Sequence, residues 1–213
     1  AQTAAPQDGR GHLAKGNVYY WQGKYDAAHA EYAAWVQAAP NDPAPHLMLG
    51  LLADEQGDTA TALQRYQEAA DLGPCDPAPY LMLGGSQTAA GDYAAAQQSY
   101  ARALEVDPHN ADALFAAAAN DLLRGDFSGA AAKFGELAAR EPPSIPATYY
   151  LGEAYESLGD IGQARKAYLA VVALGEADPA AAKAAGVYLA YAYEKVGRTD
   201  DAIAVYLRLQ GEN

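Results

Sequence analysis

The sequence predicts an all-α solenoid built from six helix-turn-helix repeats, and two observations carry that prediction. The first is a recurrence. Gly23, Gly57, Gly91, Gly125 and Gly159 stand 34 residues apart, and Gly197 follows after 38. Ala28, Ala62, Ala96, Ala130, Ala164 and Ala202 keep the same steps, as do Tyr32, Tyr66, Tyr100, Phe134, Tyr168 and Tyr206. Self-similarity at a fixed period of about 20–50 residues is the signature of a repeat architecture. The second is composition. Ala supplies 52 of the 213 residues, Phe (3), Met (2) and Trp (2) are scarce, and Tyr (16) carries most of the aromatic mass. Ala is the best helix former, and its small side chain lets helices approach closely.

In register, the units are 9–42, 43–76, 77–110, 111–144, 145–182 and 183–213. Residues 1–8, AQTAAPQD, lack the periodicity and are expected to be a flexible N-terminal tail, leaving 9–213 as a single solenoid domain. Each unit holds two helical patterns separated by Gly and a helix starter: Gly57-Asp58, Gly91-Asp92, Gly125-Asp126 and Gly159-Asp160. Gly accepts the left-handed backbone just past a helix end. Asp then caps the next helix by accepting from its free N–H groups. Between units, Asp42-Pro43, Asp76-Pro77 and Asp178-Pro179 place a cap before a proline at the first helical position, where a missing N–H costs nothing. Within the second helix the small Ala and the large ring lie four residues apart on one face. No helix pair buries such a face alone, so neighbouring pairs must stack. The fifth unit carries four extra residues, and its Asp178-Pro179 predicts that the first helix of the sixth unit starts one turn early.

Composition also excludes function classes. Lys and Arg number 14 against 27 Asp and Glu, a net charge of −13, and nucleic acid is an unsuitable partner because phosphate binding needs a basic footprint. No stretch approaches the ~20 apolar residues of a membrane span, so no membrane insertion is expected. One cysteine, Cys75, excludes a disulfide framework. The histidines are His12, His29, His46 and His109; no pair is spaced i, i+4, and no carboxylate cluster joins them, so no metal site is expected. The glycines are periodic rather than gathered into a phosphate loop, and none of the five serines sits in a nucleophile elbow. Neighbouring carboxylates such as Asp54-Glu55 diverge around a helix. No catalytic constellation emerges, and neither an enzyme nor a cofactor is expected.

The unit resembles the tetratricopeptide repeat. Its position 8 is Gly16, Gly50, Gly84, Ala118, Gly152 and Ala190, position 20 is the alanine column, position 24 is the aromatic column, and position 32 is Pro40, Pro74, Pro108 and Pro142. The likeness covers about residues 9–209. It implies a right-handed α-α superhelix whose first helices line a concave groove. Two residues depart from it: Asp121 and Gln87 stand at position 11, usually a packed site, and for Asp121 a rotated helix or a local hydrogen bond is expected in place of a functional carboxylate.

By that resemblance, positions 2, 5, 6, 9, 12 and 13 face the groove. The partner-binding candidates among them are Asn17, Tyr20 and Trp21, then Leu51, Asp54, Glu55 and Leu81, then Phe115 and Leu122, and lastly Tyr149, Tyr150, Glu153, Glu156 and Tyr191. Large apolar groups in a groove call for a partner that covers them, and Tyr, Trp and Met are suited to that role. Unit two carries six acidic residues against one Arg. The expected partner is therefore a protein or peptide, apolar with basic groups, held by a non-catalytic scaffold that assembles an envelope or periplasmic complex. Some family members clamp the C-terminal carboxylate of a heat-shock chaperone. Here Asn17 matches that clamp, but Leu13, Met48, Ala78 and Met82 replace its other polar and cationic residues, so a carboxylate meets no countercharge.

The ends raise two further expectations. A start at Ala1 fits an exported protein after signal removal, and low Lys with high Ala suggests a bacterial source, so a periplasmic or secreted location is expected, with the cytoplasm as the alternative. Near the C-terminus, Ile203, Tyr206 and Leu209 are expected to face nothing, so a self-associating homodimer through the terminal repeats is the alternative function.

Overall fold

The structure, a computed structural model, describes residues 7–211. Among the described residues there are helices and no strands. They run α1 (Gln7–Trp21), α2 (Tyr25–Ala38), α3 (Pro43–Glu55), α4 (Thr59–Leu72), α5 (Pro77–Ala89), α6 (Tyr93–Val106), α7 (Ala111–Arg124), α8 (Phe127–Ala138), α9 (Ile145–Ser157), α10 (Ile161–Ala177), α11 (Pro179–Ala184), α12 (Gly186–Val196) and α13 (Thr199–Gly211). Contacts divide the chain into two compact units, the first ending at Ala113 and the second beginning at Leu114. In the first, α1 packs on α2, α3 on α4 and α5 on α6, and α2–α3 and α4–α5 contacts stack the pairs. In the second, α8 packs on α9, α9 on α10, α10 on α12 and α12 on α13.

The capping chemistry is as the sequence dictates. Asp58, Asp92, Asp126 and Asp160 accept from the backbone N–H of Thr61, Ala95, Gly129 and Gln163 at 3.1, 3.0, 2.9 and 3.0 Å. Asp42, Asp76 and Asp178 accept from Ala44, Ala78 and Ala180 at 3.0, 2.9 and 2.9 Å, each just ahead of a proline in the first turn. Gly57, at φ 74°, makes the left-handed turn between α3 and α4.

The core is set by the ring at position 24 lying over the glycine at position 8. A Cβ on Gly50, Gly84 or Gly152 would stand 2.5 Å from Cε1 of Tyr66, Tyr100 or Tyr168. The first helix of each of these pairs therefore approaches the ring of the second to a distance only glycine allows. Tyr32, Tyr66, Tyr100, Phe134 and Tyr168 are all buried.

Two expectations need correction. Residues 1–6 lie outside the described residues, but Gln7 and Asp8 already belong to α1. The first helix of the sixth repeat does start at Pro179, yet it is not continuous: the backbone breaks at Ala185 (φ −110°, ψ 24°), giving the short α11 and then α12. The preceding α10 runs on to Ala177, longer than α4, α6 or α8, because Glu176 stands where a proline stops those chains. For Asp121, which is fully buried, the local hydrogen bond is the alternative that holds: Lys133 of α8 donates to its Oδ2, and Arg124 lies 3.8 Å from its Oδ1.

Candidate interaction surface

In the first unit, Asn17, Tyr20 and Trp21 of α1 and Met48 and Leu51 of α3 enclose a cavity of about 310 Å³, with the buried Tyr32 of α2 behind them. Four of the sequence candidates thus meet at one place. Trp21 is 84% exposed, with its ring edge-on to Tyr20 at 5.6 Å. Asp54 and Glu55 follow Leu51 by three and four residues, one turn further along α3 and about 100° apart around it. Both are exposed. Leu81 is half-buried on α5 and does not line this cavity.

The second unit carries an aromatic seam. Phe115 meets Phe134 at 5.3 Å, Phe134 stacks on Tyr150 at 5.4 Å, and Tyr150 meets Tyr149 and Tyr188 at 5.6 and 5.7 Å. Tyr149 continues the seam to Tyr191 at 6.0 Å, and Tyr191 to Tyr206 at 6.3 Å. The neighbours Tyr149 and Tyr150 differ in role. Tyr149 is only 6% exposed and supports the seam from within, so it is corrected from a groove contact to a packing residue; its hydroxyl donates to Glu153 at 3.0 Å. Tyr150 is half-buried, and burial first, then its hydrogen bond with Tyr188, pushes its hydroxyl up to about 12. Tyr191 is 41% exposed. Leu122, Glu153 and Glu156 line a separate cavity of about 330 Å³ with Phe127 and Ser157.

The position-24 tyrosines do more than fill space. Each passes over its small neighbour and delivers its hydroxyl to a polar group on the first helix. Tyr32 donates to Asn17 at 2.7 Å, Tyr66 to Asp54 at 2.8 Å and Tyr168 to Glu156 at 2.8 Å, while Tyr100 pairs with Thr88 at 3.1 Å. Ser86 of the next repeat also donates to Asp54 at 2.7 Å. Asn17, Asp54 and Glu156 are therefore held in place by core hydroxyls. Glu156 is further neutralised by Lys195 at 2.6 Å, and that pairing with the Tyr168 hydroxyl keeps its carboxyl below the usual range. Burial, followed by the Asp54 hydrogen bond, drives Tyr66 far above an ordinary tyrosine. The sequence held the signal: where position 24 is Phe134, position 12 is the apolar Leu122, and where it is Tyr66, Tyr100 or Tyr168, position 12 is Asp54, Thr88 or Glu156.

Other candidates have local explanations. The Nδ1 atoms of His12 and His46 meet Glu31 and Glu68 at 2.7 and 2.8 Å. Burial raises Glu68, but hydrogen bonds from Gln64, His46 and Arg65 outweigh it and hold the carboxyl below its ordinary value. Gln87 accepts from Ser99 at 2.7 Å. Cys75 is exposed in the turn after α4. Among the described residues no three metal-ligating side chains converge, and no helix is long and apolar enough to cross a membrane. At α13, Tyr206 packs on Tyr191, and Leu209 packs on Gly186, whose missing side chain leaves it room; both are half-buried, contrary to the expectation that they face nothing. Ile203 and Leu207 do stand exposed, at 49% and 63%. One feature absent from the sequence reading is the cavity of about 590 Å³ walled by α8, α9 and α10.

Several solved structures share this fold. MamA is 22% identical over 81% of this chain and 94% of its own, with a TM-score of 0.72. PilW, a type IV pilus biogenesis factor, is 16% identical over 97% and 94%, with a TM-score of 0.72. YrrB, a TPR protein with an unusual peptide-binding site, is 16% identical over 81% and 89%, with a TM-score of 0.66. No curated protein sequence matches the chain. Sequence profiles of the tetratricopeptide repeat match residues 1–43, 81–144, 121–186 and 189–211. Together with the stacked helix pairs and their Gly–Tyr packing, these matches show that the chain belongs to the tetratricopeptide repeat family.

Proposed function

We propose that this chain is a non-catalytic scaffold that grips an extended peptide or an amphipathic helix against the first helices of its repeats. Proteins of this family are typically protein–protein interaction scaffolds, which supports the general statement. The observation that carries the specific one is Trp21, a large ring 84% exposed beside a cavity lined by Tyr20, Met48 and Leu51. Exposed aromatic anchors beside apolar cavities are where binding energy concentrates in interfaces. Asp54 and Glu55 next to that cavity, on a chain of net charge −13, favour a partner with basic groups. YrrB, a protein of this fold, has a peptide-binding site. The test is titration of apolar peptides with and without Lys or Arg, read by Trp fluorescence, with Trp21→Ala as control. Binding that Trp21→Ala leaves intact would count against this location.

A second reading is self-association, supported by exposed Ile203 and Leu207 on the outer side of α13. Leu207→Glu and light scattering at tens of micromolar separate it from the first reading. The location proposed for either is the periplasm or the exterior, with the cytoplasm as the alternative, and fractionation of the native cell distinguishes them.

A further inference from the structure

The cavity of about 590 Å³ between α8, α9 and α10 occupies a place that earlier repeats fill with their own side chains. In the second repeat His46, at position 4, meets Glu68, at position 26, at 2.8 Å. In the third, Arg102 at position 26 lies 5.8 Å from the ring centre of Tyr80 at position 4. The fifth repeat puts Thr148 and Ala170 at these positions, and both line the cavity. The Thr148 hydroxyl is already spent on the Ser144 carbonyl at 2.8 Å. Position 29 follows the same rule: Asp71 and Glu105 in the earlier repeats, and Ala173, again a lining residue, in the fifth. Short side chains where other repeats hold long charged ones leave the space open.

The lining is sorted by polarity along its length. α9 and α10 form a hairpin, so the end of α9 and the start of α10 share one end of the cavity. Tyr155, Gln163 and Lys166 stand at that end. Leu151, Ala167 and Ala170 follow, and Ala173, Leu174 and Pro143 line the other end. Lys166 is the one charged residue of the lining, and among the described residues it forms no ion pair. A chain with 27 acidic residues against 14 basic ones thus leaves a cation without a carboxylate at the polar end of an apolar cavity. Lys166 to Leu174 spans about 12 Å of helix.

We propose that this cavity binds a single-chain carboxylic acid of medium length. Its carboxylate lies on the Lys166 ammonium and the Gln163 side-chain amide, and its hydrocarbon tail runs past Leu151 and Ala170 toward Leu174. The volume is that of a small-molecule site. The sorting favours an amphiphile over a docked helix, because an amphipathic helix offers its apolar stripe along its whole length, whereas here polarity changes from one end to the other. The site is independent of the peptide-binding reading: its residues lie in the second unit and those of the Trp21 cavity in the first.

The test titrates decanoate into the full chain by methyl NMR, beside 1-decanol, which has the same tail and no charge. Decanoate is expected to shift the Leu151 and Leu174 methyl signals, to leave the Trp21 indole signal in place, and to bind severalfold more tightly than 1-decanol. Lys166→Gln should erase that difference. Ala170→Glu gives α10 the residue type that α4 carries in the same column, at an exposed position. It should abolish binding while the melting temperature stays within a few degrees of wild type. Absence of decanoate binding, equal binding of decanoate and 1-decanol to the wild type, or full binding of decanoate to Ala170→Glu each overturns the proposal. So does an apolar acidic peptide that shifts the Leu151 and Leu174 signals where decanoate does not, since the occupant is then a protein segment.

Discussion

Replacing two consecutive glycines of α5 by alanine should move stability in opposite directions. A Cβ on Gly84 would lie 2.5 Å from Cε1 and 2.7 Å from Cδ1 of the buried Tyr100 ring. Comfortable carbon–carbon contact is about 3.5–4.0 Å, so ring or helix must retreat by about 1 Å. Overpacking of this kind costs about 1–3 kcal/mol. Alanine in place of glycine within a helix returns about 1 kcal/mol of that. The net for Gly84→Ala is a loss of up to about 2 kcal/mol. At Gly85 nothing stands within 4 Å of the added atom, so only the helix gain of about 0.5–1 kcal/mol remains. In a chain of this size 1 kcal/mol moves Tm by about 2–4 °C. Gly85→Ala should therefore melt about 1–4 °C higher than wild type, and Gly84→Ala up to about 8 °C lower. Urea unfolding of the same pair should show the midpoints moving with an unchanged slope. Equal rises in both variants would mean that Tyr100 does not rest on Gly84, and the packing rule derived for every glycine–tyrosine pair would fail with it.

Further expectations follow from the buried charges and hydroxyls. Tyr66, Tyr149, Tyr150 and Tyr168 are all raised above 10, chiefly by burial, so the stability they confer is complete below pH 10 and is lost as pH rises through their folded values. Alkaline unfolding should begin just above pH 10, and Tyr66→Phe should flatten the slope there; an unchanged slope refutes the contribution of Tyr66. Lys133→Met removes a donor from the buried Asp121 and should destabilise the chain, with Asp121→Leu in the same chain restoring most of the loss; a neutral single variant would show that Asp121 does not depend on Lys133. Binding of a peptide with basic groups should weaken steadily as salt rises from about 50 to about 500 mM, because exposed carboxylates steer the encounter. Indifference to salt removes Asp54 and Glu55 from the account. Leu207→Glu should leave a monomeric chain monomeric and dissociate a dimeric one, as read by light scattering.

The helix pairs were legible because their boundaries are written in residue chemistry. Asp58, Asp92 and Asp160 cap where a cap was expected, and glycine precedes each. The break at Ala185 was not legible. It lies in a run of alanine and lysine with no proline and no polar cap, all of it compatible with one unbroken helix. The groove was legible by register in outline but not residue by residue. Tyr149 and Tyr150 are adjacent, about 100° apart around α9, so one ring turns into the seam while the other lines it. The anchoring of the groove carboxylates was missed for a different reason. Asp54 and Glu156 were read as groove residues alone, and the tyrosines that hold them, Tyr66 and Tyr168, lie 12 residues further on in the second helix. A periodic sequence shows that pairing only when columns are compared across repeats, as Phe134 with Leu122 does by exception.

The most direct test of the binding account is capture of partners from native cell extract by the immobilised chain, quantified against two variants. Trp21→Ala removes an exposed ring and should leave the fold unchanged, unlike substitutions in the seam of Phe115, Phe134 and Tyr150, where truncation opens a cavity. Leu169→Ala changes an exposed residue of α10, which does not line the Trp21 cavity. A partner retained by wild type and by Leu169→Ala but reduced at least tenfold by Trp21→Ala is the predicted result. A partner held equally by all three chains would contradict it.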